Sequence, residues 1–404
     1  MKIELLAPAG DKLKLQTAFF YCADACYFDG KKYGLRAFSD NFDEDELKES
    51  VDYAHSLGKK CYITLNILAH NNDFEGMKEY IEYLDQIKVD AVIVSDIGIM
   101  SLVKQVAPNL EIHVSTQANI TNKYSAMEFV KMGAKRLILA RELSVEEIKE
   151  IRDYIPQEIE IETFVHGAMC ISYSGRCLLS NYLSERDSNR GQCVQACRWD
   201  YALCEKSRQN NFYEIMEDQR GTYILNSKDL RLIEHLDKLV KAGITSFKIE
   251  GRMKSPYYVA NVVNAYKRAI EILKNDPNNY QCPDYLVEEL YKSSNRGYTT
   301  GFYFDEKMRQ NYQSSAAKSN ADFIALCLED SKDGKVLIEQ RNRFKVGDVL
   351  EVLSPNETFL EKIEVKEVYN QKGELVEDCL RVQQKLYLVT NVNLKKNDIL
   401  RIVR

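Results

Sequence analysis

The chain is 404 residues long, with 45 % hydrophobic and 29 % charged residues and a formal net charge of −6. That length implies a large domain with a smaller one beside it, and the acidic total excludes nucleic-acid binding by bulk charge, so any RNA contact requires a local basic patch. No run approaches the roughly 20 apolar residues of a membrane helix, and Met1-Lys2 leads straight into a strand-like stretch, Ile3 to Ala7, with no secretory leader, so a cytoplasmic protein without membrane contact is expected.

In chain order, strands are expected at Glu4–Leu6, Ala25–Phe28, Cys61–Leu65, Ala91–Ser95, Ile112–Ser115, Leu137–Ala140, Ile159–Val165 and Ser246–Ile249, each short and rich in branched or aromatic residues. Helical patterns separate them. Asp45 to Leu57 is amphipathic and stops at Gly58. Phe74 to Ile87, Ile97 to Val106 and Lys123 to Met132 follow, and Ser144 with Glu147 forms a capping box. Lys228 to Ala242 reads as a helix ending at Gly243, and Pro256 opens another, Tyr257 to Lys274. Eight such units predict a (β/α)8 TIM-like barrel. The open doubly wound sheet is disfavoured, because Pro8-Ala9-Gly10-Asp11 after the first strand is not a glycine-rich phosphate loop.

The barrel is expected over 1–315, with a cysteine-rich insertion at about 168–222. From 320 to 404 the pattern changes to short apolar runs, Phe323–Cys327, Val336–Gln340, Asp348–Leu353, Lys362–Val368, Leu380–Gln383 and Ile399–Val403, which predict a small all-β domain, β-barrel-like or a sandwich. Asp333-Gly334 and Lys372-Gly373 are hairpin turns, and the runs Lys345–Leu350 and Lys395–Leu400 look alike.

Strand alternation assigns Ile112, Val114, Thr163, Val165, Phe247 and Ile249 to the outer face, which leaves Glu111, His113, Ser115, Gln117, Glu162, Phe164, His166, Ser246, Lys248 and Glu250 facing the lumen. Buried charges must either pair with one another or line a wet cavity. Arg141, Glu142, His166, Glu250 and Arg252 fall at strand C-termini, where barrel enzymes keep their sites.

The 11 cysteines are odd in number and, in a reducing compartment, do not read as disulfides. Cys26 and Cys61 lie in apolar strand patterns and read as core. Cys170, Cys177, Cys193 and Cys197 instead follow the seventh strand with spacing C-x6-C-x15-C-x3-C. Clustered thiols of this kind read as metal ligands. Structural zinc favours C-x2-C pairs, whereas iron–sulfur spacings vary more widely. A nucleophilic cysteine paired with His166, or plain packing cysteines, are the other readings.

The run from Glu162 to Ser180, ETFVHGAMCISYSGRCLLS, is similar to the signature of peptidase family U32, the collagenase-like proteases. Asn226–Leu230, Lys248–Ser255 and Asn295–Phe302 carry further matches, and the resemblance spans essentially the whole chain. It implies RNA or quinone hydroxylation in several branches, with an iron–sulfur cluster held by four cysteines. The chain most resembles the branch that hydroxylates the wobble uridine of tRNA to 5-hydroxyuridine with prephenate as co-substrate. Carried over, Cys170, Cys177, Cys193 and Cys197 hold the cluster, 4Fe–4S in type. Prephenate is a dicarboxylate, and Arg141, Lys248 and Arg252 are available to clamp it. Lys228, with Arg176, Arg186, Arg190, Arg198 and Lys254, is a candidate RNA-binding rim, and Trp199 and Tyr173 are candidates to stack a base. Glu162, His166 and Glu250 are candidates for proton transfer or positioning. The alternatives are hydroxylation of ribosomal RNA cytidine, a U32-type peptidase (although no H-E-x-x-H or G-x-S-x-G motif is present), and a cluster-bearing scaffold that works through a paralogous partner.

Overall fold

The structure, a computed structural model, describes residues 3–34, 41–199, 202–204, 212–214, 227–304 and 317–404. Much of the expected insertion between 200 and 226, including Asn226, and the expected domain boundary near 315 lie outside the described residues.

Eight strands, β1 (Glu4–Pro8), β2 (Ala25–Phe28), β3 (Lys60–Leu65), β4 (Ala91–Val94), β5 (Glu111–Val114), β6 (Arg136–Ile138), β7 (Glu160–Ala168) and β8 (Ser246–Ile249), run parallel, and β8 pairs with both β7 and β1 to close a barrel. Helices α1 (Lys12–Phe20), α2 (Glu44–Ser56), α3 (Met77–Gln86), α4 (Ile97–Val106), α5 (Lys123–Lys131) and α6 (Val145–Tyr154) fill the first six crossovers. Their starts are set by local chemistry. Asp11, Asp43, Asp96, Asn122 and Ser144 each accept a hydrogen bond from a first-turn backbone N–H, and Asp43 and Ser144 complete capping boxes with Glu46 and Glu147. The crossover from β7 to β8 carries the cysteine segment with the short helix α7 (Leu179–Ser184), and then α8 (Leu236–Lys241). After β8 come α9 (Pro256–Asn275) and α10 (Asp284–Tyr291).

Two expectations around β7 are corrected. Lys228 to Ala242 is not one helix. Asp229–Arg231 is a strand that pairs antiparallel with the end of β7, Leu230 opposite Gly167 and Arg231 opposite His166, and Tyr298–Thr299 adds a further strand beside it. Asp229, Leu230, Leu232 and Ile233 are all buried, and only Leu236–Lys241 forms a regular α-helix. The second correction concerns direction. The β7–β8 register passes from Phe164 opposite Lys248 to His166 opposite Ile249 and skips Val165. This bulge reverses the alternation, so His166 shares the helix-facing side with Ile249 rather than the lumen.

The C-terminal domain is a seven-stranded antiparallel sheet with strand order 362–364, 349–353, 399–403, 321–327, 335–340, 385–389, 368–370. Asp333 and Gly334 both take positive φ (52° and 76°) in the turn joining the strands at 321–327 and 335–340. The expected strand Leu380–Gln383 is corrected to Lys385–Val389. Leu380 and Val382 stay exposed, and Gln384 N–H bonds back to the Arg381 carbonyl in a turn. The resemblance between the two lysine runs is structural. Asp348 accepts from Lys345 N–H at 2.8 Å and Asp398 from Lys395 N–H at 2.7 Å, each turn leading into a strand, and those strands are neighbours.

The domain seats on α9 and α10 through charge rather than hydrocarbon alone. Arg401 is fully buried and bonds Glu289, Glu351 at 2.6 Å and the Asn261 side-chain oxygen at 2.9 Å. Lys292 adds ion pairs to Glu289 and Glu351 at 3.1 and 2.7 Å. Two cations against two carboxylates, with the spare lone pairs hydrogen-bonded, is the arrangement in which burying charge is tolerated.

Candidate active site at the barrel mouth

The lumen is filled by ions that satisfy one another. Arg136, at the start of β6, bonds Glu4 at 2.5 Å, Glu160 at 2.5 Å and Glu162 at 2.8 Å. Lys248 Nζ lies 2.9 Å from the other Glu162 oxygen and 4.2 Å above the Tyr27 ring. Burial alone would push the Glu162 carboxyl up, but Lys248 and then Arg136 outweigh it and hold it below its usual range. Glu162 is thus a fully buried counter-ion in the barrel core. His113 packs edge-on to Tyr62 at 4.7 Å in the same layer and is held below its ordinary value by burial.

Above this plug lies the mouth. The Arg141 guanidinium stacks 3.8 Å from the Phe164 ring, donates to the Ala168 carbonyl at 2.6 Å and pairs with Glu250 at 3.1 Å. Arg252 is buried and pairs with Asp29, which also accepts from Thr64. The Nε and Nη2 of Arg252 have no hydrogen-bond partner, and burial pulls its guanidinium down to about 10. A desolvated cation with unused donors fits an anionic ligand group.

His166 lies apart from the mouth. Its ring is 5.4 Å from Tyr266, 5.4 Å from Tyr298 and 6.1 Å from Tyr258. Burial, reinforced by Arg231 and Lys254, pushes it down to about 3, so the imidazole is neutral at physiological pH.

The cysteine segment roofs the mouth because several barrel loops hold it there. Arg190 forms a two-pronged pair with Asp73, 2.7 Å on each oxygen, and donates to the Leu68 carbonyl at 2.8 Å. Asp73 is held down at about 2, chiefly by those hydrogen bonds. Glu142 accepts from Ser174 N–H at 3.1 Å. Two glycines permit the close passage. A Cβ on Gly167 (φ 108°) would lie 2.6 Å from the Glu250 carbonyl oxygen, and one on Gly175 (φ 72°) would lie 2.3 Å from the Gln117 carbonyl oxygen.

Within the segment the sulfurs interact. Cys170 donates to Cys177, whose thiol that contact, aided by Ser172 and the Leu179 backbone, holds down at about 5, while Cys170 is pushed up. Cys193 accepts from Gln195 N–H at 3.4 Å and from Ser180 Oγ at 3.7 Å. Cys197 is raised by burial and lies within electrostatic reach of Cys193 and Cys177. Among the described residues, no three His, Cys, Asp or Glu side chains converge on a point as ligands of one metal ion do.

The structure therefore carries Cys170, Cys177, Cys193 and Cys197 on one segment clamped to the loops that rim the mouth, keeps Lys248 and Glu162 below in the lumen, and sets His166 on the helix side. Lys228 is half-buried beside the strand Asp229–Arg231. The loop residues Asp29 and Asp73, which hold Arg252 and the cysteine segment, are not among the expected site residues. Asp29 stood in view as a carboxylate directly after β2. Arg136 was hidden because the sixth strand was expected to begin one residue later.

A closed (β/α)8 barrel with a thiol-rich roof on the face where barrel enzymes do their chemistry, joined to an antiparallel β domain, is the class that fold and site define. The chain belongs to peptidase family U32: the family model matches residues 10–313, and that of the U32 C-terminal domain matches 319–401. It is 43 % identical over 380 residues to tRNA hydroxylation protein P1 of Bacillus subtilis, covering 92 % of this chain and 88 % of that protein. It is 34 % identical over 307 residues to the 23S rRNA 5-hydroxycytidine C2501 synthase of Escherichia coli, covering 74 % of this chain and 45 % of that protein. A protein named collagenase in Porphyromonas gingivalis is 32 % identical over 315 residues, covering 76 % of this chain and 74 % of that protein. No helix among the described residues is long and apolar enough to cross a membrane.

Proposed function

We propose that this protein is an RNA hydroxylase that converts the wobble uridine of tRNA to 5-hydroxyuridine in the cytoplasm, with prephenate as co-substrate and a 4Fe–4S cluster on Cys170, Cys177, Cys193 and Cys197. The observation that carries the reading is one segment, clamped over the barrel mouth, that carries all four thiols. The relative with the highest identity above is named for tRNA hydroxylation and a second for rRNA hydroxycytidine. A four-iron cluster takes each thiolate on a different iron, so its ligands surround a cube rather than one ion. The N–H and O–H donors aimed at Cys177 and Cys193 favour the thiolate form that such ligation requires. When bound, the cluster supplies one-electron chemistry.

The chain's own residues suit the rest. Arg252 Nε and Nη2 would hold a carboxylate of prephenate, and Arg141, fixed on Phe164, would orient it beside Glu250. Lys248 is committed to Glu162 and acts by holding the lumen together. His166 is packed among Tyr258, Tyr266 and Tyr298, away from the mouth. Work through a paralogous partner is a further arrangement the reading allows, and turnover by the purified chain alone would end it.

The test has two arms. Nucleoside mass spectrometry of tRNA from a strain lacking this protein and its paralogues, grown without oxygen, is expected to show loss of 5-hydroxyuridine and its derivatives; an unchanged level refutes the hydroxylase. Oxygen-free purification is expected to give about four iron and four sulfide per chain, falling sharply in Cys177→Ala and Cys193→Ala; a colourless, iron-free protein refutes the cluster.

A further inference from the structure

Beside the loop joining Cys170 to Cys177 is a cleft of about 430 Å³ that the preceding reading leaves unused. Asn119 and Thr121 line it from the loop after β5, Glu142 and Glu147 from the end of β6 and the start of α6, and Tyr173 and Arg176 from the cysteine segment. We propose that this cleft receives an unpaired uracil nucleotide of the RNA, with the base stacked on Tyr173 and its N3–H donated to Glu142. The proposal rests on the RNA-hydroxylase reading and deepens it by locating the base.

The chemistry of the walls selects this occupant. Tyr173 leaves 60 % of its surface exposed, a ring face open at the rim. Arg176 makes no ion pair or side-chain hydrogen bond with any described residue, although two carboxylates line the same cleft. Glu147 is exposed at the rim and gives one oxygen to the Ser144 N–H at 2.8 Å. Glu142 lies deeper and is half-buried. Its Oε1 takes the Ser174 N–H, and the Ser174 hydroxyl, 3.3 and 3.2 Å from the two oxygens, has one proton to give. Lone pairs of Glu142 remain for a ligand N–H.

A free phosphate would meet two carboxylates here and one arginine. A hydrocarbon would leave Arg176 and Glu142 unsatisfied. A uracil edge offers an N–H between two carbonyls, which suits a half-buried carboxylate in a cleft that the amide of Asn119 and the guanidinium of Arg176 also line. The volume holds one nucleotide but no duplex, so the base must be unstacked, which is least costly in a loop that is already single-stranded. Tyr173 and Arg176 also lie in the loop between two of the four gathered cysteines, so a base held there sits beside the sulfurs.

The test uses full-length protein purified without oxygen and an anticodon stem–loop RNA carrying 5-iodouridine at the wobble position. After irradiation, the linked peptide is identified by mass spectrometry. Linkage to Tyr173 is expected, retained in Tyr173→Phe and lost in Tyr173→Ala. A 5-iodocytidine RNA is expected to link roughly tenfold less, and Glu142→Gln, which keeps the shape of the wall, is expected to abolish that preference. Linkage at Trp199 or Tyr182 instead, or undiminished linkage in Tyr173→Ala, overturns the cleft assignment while leaving the hydroxylase reading standing. Failure of the wild-type protein to retain the RNA on a filter, with unchanged tRNA nucleosides in the deletion strain, overturns both.

Discussion

Single residues in this protein are governed by what surrounds them more than by what they are. His166 stands in the signature run as an obvious acid–base candidate, yet one skipped residue in the β7–β8 register turns it away from the lumen into a tyrosine cage. Its consequence is thermodynamic. The folded state holds the imidazole down at about 3 against 6.5 unfolded, so unfolding takes up a proton on the acid side. The sign follows: stability is complete above pH 6.5 and is lost as the pH falls toward 3, at up to about 1.4 kcal/mol per pH unit. His166→Gln is expected to flatten the decline in urea-unfolding free energy between pH 6 and pH 5 by about that amount. An unchanged slope would mean that the ring carries its proton in the native state. Strand periodicity alone could not foresee this, because a bulge leaves no mark in an alternating pattern. Glu162 was legible as an inward charge, but its partner Arg136 was not, and without that partner a saturated ion network looks the same as a wet cavity.

At the scale of elements, the barrel was legible because its strands are continuous apolar runs buried on both faces and its helices carry side-chain caps. Local chemistry wrote both signals. The strand Asp229–Arg231 was not, because it exists only through pairing with distant segments, β7 where that strand overruns the barrel rim and Tyr298–Thr299 on its other side. The docking of the cysteine segment was equally hidden, since Arg190 and Asp73 are 117 positions apart. That ion pair is two-pronged and only partly exposed, and it joins the roof to the loop after β3. Arg190→Ala is therefore expected to speed proteolysis within residues 170–199 and to hasten iron loss in air, while the unfolding free energy of the barrel changes by less than about 1 kcal/mol. Limited proteolysis followed by mass spectrometry reads the first effect directly. Cleavage at the wild-type rate would show that other contacts hold the roof.

Across the whole molecule, the two domains meet over a buried charge cluster set beside an apolar seam, where Leu326, Leu353 and Ile399 join the barrel's hydrophobic core. Arg401 touches Glu289 on α10, Glu351 on a neighbouring strand and Asn261 on α9. Arg401→Met is expected to cost about 3 kcal/mol, because carboxylates remain in the interface with only Lys292 to answer them. Calorimetry is expected to resolve one unfolding transition into two as the β domain loosens from the barrel. A single sharp transition at the wild-type temperature would show that Arg401 does not join the domains. The same strand has a consequence for biosynthesis. It is the last of the sheet to leave the ribosome, yet it lies between the strand at 321–327 and the strand at 349–353. The nascent β domain must therefore wait with its centre open, and Glu289 stands without this cation until that final segment threads home.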